Sequence, residues 1–198
     1  MEKSHDIQLS QEKDEHGKQF VISTDGTTTF GRMESESGLA DVPIKLSEGI
    51  ITNPATKEGY GLVHIEARHG EEIRNAGFIS VVDFVEEVAK NYEIIREGNE
   101  RDGYKTYILQ LTDKNNNTLM VELSADETYW NINTAGIFRT SYGAKKKVVY
   151  NRHATDKQSA ETVEASLSGE LDGTTPSTSM NTSIQQNILS ECKDKKNF

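Results

Sequence analysis

Apolar residues recur at helical spacing twice in succession between Leu62 and Ile95, and only the stretch from Gly77 to Ser80 separates the two runs. A step of about 100° per residue puts Leu62, Ile65, His69, Ile73 and Ala76 on one stripe of the first helix, which is expected over about Leu62–Asn75. Val81, Val85, Val88, Tyr92 and Ile95 form the stripe of the second, which is expected to continue until Gly98. Gly77 suits the left-handed position that ends a helix, and Ser80, with Asp83 three residues on, suits an N-cap. Glu86, Glu87 and Lys90 fall on a solvated face. Two adjacent amphipathic helices must bury their stripes against something, and a sheet is the usual partner.

The sheet is legible downstream. Tyr104–Thr112 and Thr118–Ser124 are rich in β-branched and aromatic residues and flank a turn at 113–117, which predicts a hairpin. Tyr129–Asn133 and Gly136–Arg139 read as one interrupted strand or two short ones, and Lys146–Asn151 as the last, with Trp130 and Phe138 in the core. Upstream, the apolar stretches of 19–30 flank Asp25-Gly26, a hairpin signal. Within the irregular 31–58, an extended strand is expected near Val42–Leu46. The expected class is α+β: two consecutive helices packed on an antiparallel sheet of about four strands, with an N-terminal β-hairpin extension. The expected division is a frayed segment over 1–18, the β extension over 19–58, the main domain over 59–152 and a disordered polar tail over 153–198.

Composition supports that division. Hydrophobic residues make up 34% of the 198, and Thr155–Asn187 is dominated by Ser, Thr, Gln, Glu and Gly, too few apolar groups to offset the entropy of ordering. A weak signal for a short helix or docking peptide lies at Ile184–Ser190. The net charge of −10 argues against a polyanionic partner until its location is considered. Residues 59–152 are close to neutral, and within them Arg139, Lys145, Lys146, Lys147 and Arg152 form a basic stretch with no acid. The single cysteine, Cys192, excludes an intrachain disulfide or a cysteine-rich zinc site. No apolar run reaches membrane-spanning length and the first residues do not read as a signal peptide. A cytoplasmic location, or delivery into a bacterial cytoplasm, is expected, with no membrane partner.

The chemistry-bearing segment is Gly59–Gly70, which holds two of the five histidines, His64 and His69, together with Arg68. Groups that exchange protons near neutral pH, beside a fixed cation, suit phosphate chemistry. By the helical step His69 falls on the apolar stripe, while His64, Arg68 and Asn75 share an adjacent face that could edge a cleft. The bland alternative is a satisfied core histidine with a solvated His and Arg beside it.

A helix carrying Gly61-Leu62-Val63-His64-Ile65 and then Arg68-His69, a second helix and an antiparallel sheet resembles the barnase–EndoU–colicin–RelE superfamily of metal-independent ribonucleases. More closely, Gly59 to Arg152 looks like the PBECR group of that superfamily, domains of large phage and mobile-element proteins. The resemblance implies an endoribonuclease acting on RNA without metal or cofactor, with a protein partner or inhibitor. It also implies that Arg139-Thr140-Ser141-Tyr142 and Lys145–Lys147 occupy the place of the family's late-strand polar and basic residues. On this reading His64 and His69 move protons, Arg68 and Arg139 bind the scissile phosphate, and Thr140 or Ser141 hydrogen-bonds it. Tyr142 stacks on a base and Lys145, Lys146 and Lys147 hold flanking phosphates.

Two further readings stand beside it. One is a non-catalytic module of the same fold that binds nucleic acid or a protein through the basic stretch. The other is a metal-dependent hydrolase using His64, Glu66 and His69, but a spacing of five does not present two imidazoles to one metal as a spacing of four does.

Overall fold

A computed structural model describes residues 7–101, 103–112, 116–139 and 141–154. The expected disordered tail lies outside the described residues from 155 onward, as do the Ile184–Ser190 segment, Cys192 and Thr140.

Strands dominate. The order is β1 (Leu9–Lys13), β2 (Gln19–Val21), β3 (Gly31–Arg32), a single 3-10 turn at Ser35–Ser37, β4 (Pro43–Lys45), β5 (Ile50–Asn53), β6 (Glu58–Tyr60), α1 (Gly61–Asn75) and α2 (Val81–Asn91). It continues with β7 (Ile94–Arg101), β8 (Tyr104–Leu111), β9 (Asn117–Leu123), β10 (Trp130–Ile137) and β11 (Val148–Asn151). Seven strands form one curled, mixed sheet in the order β11-β7-β8-β9-β10-β4-β3. All its pairings are antiparallel except β10 with β4, which run parallel with Trp130 opposite Ile44. The β1–β2 and β5–β6 pairs stand as separate two-stranded ribbons.

This corrects the expected class, a four-stranded antiparallel sheet under two helices. Three strands were not anticipated in the sheet, each for a physical reason. β7 starts two residues after Tyr92, where the backbone leaves the helix (ψ 145°), and Ile95 happens to continue the helical repeat of Val81, Val85 and Val88. The second helix therefore stops at Asn91 rather than running to Gly98. β3 is two residues long, too short for an alternating pattern to register, and β4, although it falls within the extended strand expected near Val42–Leu46, has nothing local to say that it joins this sheet. They join the sheet through β10, far away in sequence. The hairpin expected across Asp25-Gly26 is also not formed: the turn is there, with Ser23 N–H donating to Thr27 O at 2.8 Å, but β2 pairs with β1 and β3 with β4. Leu9–Lys13, expected to be frayed, is the strand that takes β2.

The junction of the helices follows the sequence signals. Phe78 N–H donates to Ile73 O and Gly77 N–H to Arg74 O, the paired bonds that close a helix on a left-handed glycine (φ +100°). Ser80 caps α2 by accepting from Asp83 N–H at 3.1 Å. The β8–β9 hairpin pairs as anticipated, from Thr106 opposite Glu122 to Leu111 opposite Asn117, and β10 is one continuous strand with a register shift between Ile132 and Thr134.

One apolar cluster unites the layers: Leu62, Ile65 and Ile73 of α1, Phe84, Val85 and Val88 of α2, and Leu109, Leu119, Val121, Trp130, Ile132 and Ala135 of the sheet. Trp130 is buried as anticipated and donates its indole N–H to Ala40 O at 2.9 Å. Glu86, expected on a solvated face, is instead buried and accepts from the Thr24 backbone and hydroxyl, tying the 24–27 turn to α2. Among the described residues no helix is long and apolar enough to cross a membrane.

Candidate functional site

α1 begins where β6 ends, and the carbonyls of Ser47 and Glu48 accept from Leu62 N–H and Val63 N–H, each at 3.0 Å. Backbone oxygens thus satisfy donors that a side-chain cap would otherwise take, and the helix starts at a fixed point. It then runs along β10. Between them lies a cavity of about 600 Å³ whose wall includes His64, Arg68 and His69 from α1, Thr134 from β10, and Tyr142 and Lys146 from the segment before β11.

His64 is the buried imidazole, with 5% of its surface exposed. Its Nδ1 lies 2.8 Å from Lys57 O and its Nε2 3.2 Å from Thr134 Oγ1. Because a carbonyl can only accept, Nδ1 carries the proton in the neutral ring, and Nε2 is the basic nitrogen, accepting from the Thr134 hydroxyl. Lys57 presents its carbonyl from a left-handed backbone (φ +55°), uncommon for a residue with a side chain.

His69 is less buried, its side chain 16% exposed, which reverses the expected ranking of the two histidines. The rings stand 6.4 Å apart at 80°. By the helical step His64 lies about 200° round α1 from Leu62, off the apolar stripe, and is buried by what covers the first turn, through Lys57 O and Thr134 Oγ1, while Ala76 at the far end of the stripe is exposed. Close approach of His69 to the sheet depends on Gly136, where a Cβ would lie 3.0 Å from the ring Nδ1 and 3.1 Å from Cγ. Burial is the main cause that pulls the His69 pKa below its ordinary value. Glu72, with Oε2 3.5 Å from Nδ1, pulls it up, and the charges of Arg68 and His64 pull it down. The ring is therefore neutral at neutral pH.

The opposite wall is aromatic and cationic. Phe138 stacks on Tyr142 with centroids 4.5 Å apart at 22°, and its other neighbour is the His69 ring at 5.7 Å. Phe138 was expected in the core; here it is half-buried and lines the cavity. Burial pushes the Tyr142 phenol pKa up, so the hydroxyl keeps its proton, and it points to Met120 Sδ at 3.8 Å. Lys146 Nζ bonds Asn99 Oδ1 and lies 3.5 Å from Gly98 O.

Of the residues singled out from the sequence, His64, Arg68, His69, Tyr142 and Lys146 are brought together here. Arg139, Ser141 and Lys145 are exposed and do not line the cavity, and Thr140 lies outside the described residues. Lys147 is exposed and pairs with Glu97 at 2.9 Å. Glu66 lies about 200° round the helix from His64 and bonds Arg74 at 2.9 Å, so the set His64, Glu66 and His69 does not converge. Sequence reasoning missed Thr134, Lys57, Asn99 and Glu58. Thr134 carried a faint signal, as a hydroxyl in the middle of a strand; a backbone carbonyl such as that of Lys57 carries none.

Comparison of the chain with protein-family models, with curated proteins and with solved structures finds no match.

Proposed function

We propose that this cavity cleaves RNA by acid–base attack of a ribose 2′-hydroxyl on its own phosphodiester, without a metal. The observation that carries the reading is the convergence of two imidazoles, 6.4 Å apart, with the Arg68 guanidinium and the Lys146 ammonium on one cavity. Such cleavage needs a base, an acid and positive charge near the phosphorane, and these four side chains supply all three.

His69, neutral at neutral pH, takes the 2′-hydroxyl proton as the oxygen attacks phosphorus. The bond to the 5′-oxygen breaks, and protonated His64 gives its Nε2 proton to that oxygen while its Nδ1–H stays bonded to Lys57 O. Burial first, and the Arg68 charge with it, oppose a proton on His69, which keeps the base in the form the reaction needs. Arg68 and Lys146 offer donors to the non-bridging oxygens. The products are a 2′,3′-cyclic phosphate and a free 5′-hydroxyl.

A second reading, a non-catalytic module that binds nucleic acid or a protein, is favoured by one observation: both ring nitrogens of His64 already have protein partners. Incubation with total RNA in excess chelator separates the two. The proposal expects fragments ending in cyclic phosphate, a bell-shaped pH profile, and a loss of about 10²-fold or more in rate for Arg68→Ala. Binding of RNA without any cleavage would put the binding module in its place.

A further inference from the structure

The segment between β10 and β11 has little regular structure of its own, yet it carries Phe138, Tyr142 and Lys146 to the cavity. Backbone bonds tie its two ends, Phe138 N–H to Asn116 O at 3.4 Å and Glu97 N–H to Lys147 O at 2.9 Å; between them it is held by a chain of three polar side chains, two from the sheet and one from the turn before β9. Arg96 of β7 donates through Nε to Gln110 Oε1 of β8 at 2.7 Å and through Nη1 to Lys146 O at 3.2 Å. Gln110, fully enclosed at 2% exposure, donates through Nε2 to Tyr142 O at 3.4 Å and to Asn116 Oδ1 at 3.2 Å. Asn116 in turn donates through Nδ2 to Arg139 O at 3.1 Å and Phe138 O at 3.4 Å. Four main-chain carbonyls of the segment are thereby fixed by side chains that touch nothing in the cavity themselves.

We infer that Arg96, Gln110 and Asn116 are positioning residues, a brace that keeps Tyr142 and Lys146 at the cavity before any ligand arrives. The inference deepens the proposed ribonuclease reading and rests on it for the role of Lys146. The geometry argues for a dedicated brace rather than incidental bonding. A buried glutamine amide near the end of a strand is costly unless both its ends are used, and here each end is, one by Arg96 and the other by Asn116 and Tyr142. Between its anchored ends the segment's own main-chain bonds are short-range turns, Tyr142 N–H to Arg139 O, Ala144 N–H to Ser141 O and Lys146 N–H to Gly143 O. Such turns shape the segment but do not dock it.

The test uses the full chain and two variants, Gln110→Met, which keeps volume but removes both ends of the amide, and Arg96→Met, which removes the bond to Lys146 O. Hydrogen exchange is read at the Tyr142, Ala144 and Lys146 amides, with Leu109 and Leu119 as the sheet control. Affinity for an uncleavable 2′-O-methyl oligoribonucleotide and KM against kcat for RNA are measured beside it. The brace predicts exchange at the three amides faster by tenfold or more with the sheet amides unchanged, a several-fold loss of affinity, and a rise in KM larger than any fall in kcat. Unchanged exchange at those amides in a folded variant overturns it, and so does faster exchange with affinity and KM unaltered. If Gln110→Met does not fold, Arg96→Met, at a half-buried position, decides. A wild type that binds the oligonucleotide but cuts no RNA ends the ribonuclease reading and leaves the brace to be judged on exchange and affinity. A wild type that does neither overturns the positioning role along with that reading.

Discussion

The two walls of the cavity are built by different means. On the helix wall, His64, Arg68 and His69 ride on α1, which is locked into the core by Leu62, Ile65 and Ile73 and started at a fixed point by the Ser47 and Glu48 carbonyls. On the facing wall, Tyr142 and Lys146 sit on irregular backbone docked by Arg96, Gln110 and Asn116. A bond of that second kind contributes about 1 kcal/mol net, so a few of them decide where the cation stands. The difference separates two kinds of failure. Disturbing the buried part of the helix wall disturbs the fold, whereas the facing wall can lose its placement with the fold intact.

The largest expected effect sharpens this contrast within the helix wall itself. His69→Ala removes the neutral imidazole at the cavity together with a largely buried ring, so the expected outcome is a loss of about 10²-fold or more in RNA cleavage, with a stability cost of about 1–2 kcal/mol by urea denaturation, below that of His64→Ala. Should cleavage persist at wild-type rate, His69 has no proton to move.

His64→Ala comes next. It strips the hydrogen-bond partner from Lys57 O and Thr134 Oγ1 and opens a void at the covered first turn of α1, for an expected cost of about 2–3 kcal/mol. Equal losses for the two histidine variants would break the distinction between a buried, structure-bearing imidazole and a partly open, reactive one.

Gly136→Ala probes the seam between α1 and β10. The added Cβ would stand 3.0 Å from His69 Nδ1, so either the ring or the helix must give way, at a cost of about 1 kcal/mol or more. Cleavage should fall by roughly tenfold, the equivalent of about 1.4 kcal/mol in the barrier. A crystal structure of the variant with an unmoved His69 would show that the approach is looser than it looks.

The smallest effect is on acid stability. Because burial lowers the His69 pKa in the folded chain, the unfolded chain binds this proton more readily. Its contribution is intact above the ordinary histidine value of about 6.5 and is lost as pH falls from there through the folded pKa. His69→Gln should therefore show a smaller drop in melting temperature between pH 7 and pH 5 than the wild type. Parallel drops would mean that the ring titrates as it does in the unfolded chain.

Local order alone carried a good part of this. Ser80 and Gly77 marked the break between the helices because a cap and a left-handed stop are made by residues within one turn of each other. The β8–β9 hairpin was visible because its alternating arms flank a short turn. That α1 carries His64, Arg68 and His69 within six residues is a matter of sequence alone.

Tertiary structure decided the rest. β4 lies parallel beside β10 although Ile44 and Trp130 are 86 positions apart, and a three-residue strand has no periodicity with which to announce that pairing. Which histidine is the more buried was decided by tertiary contacts: by the helical step His69 lies on the apolar stripe and His64 about 200° from Leu62, yet Lys57 O and Thr134 Oγ1, from elsewhere in the chain, close over His64. The Lys57 carbonyl on His64 and the carbonyls of Phe138, Arg139, Tyr142 and Lys146 on their brace are main-chain atoms, present in every residue and therefore silent in sequence. A pattern of side chains specifies which faces must be buried; only the curled sheet specifies which groups then meet across it.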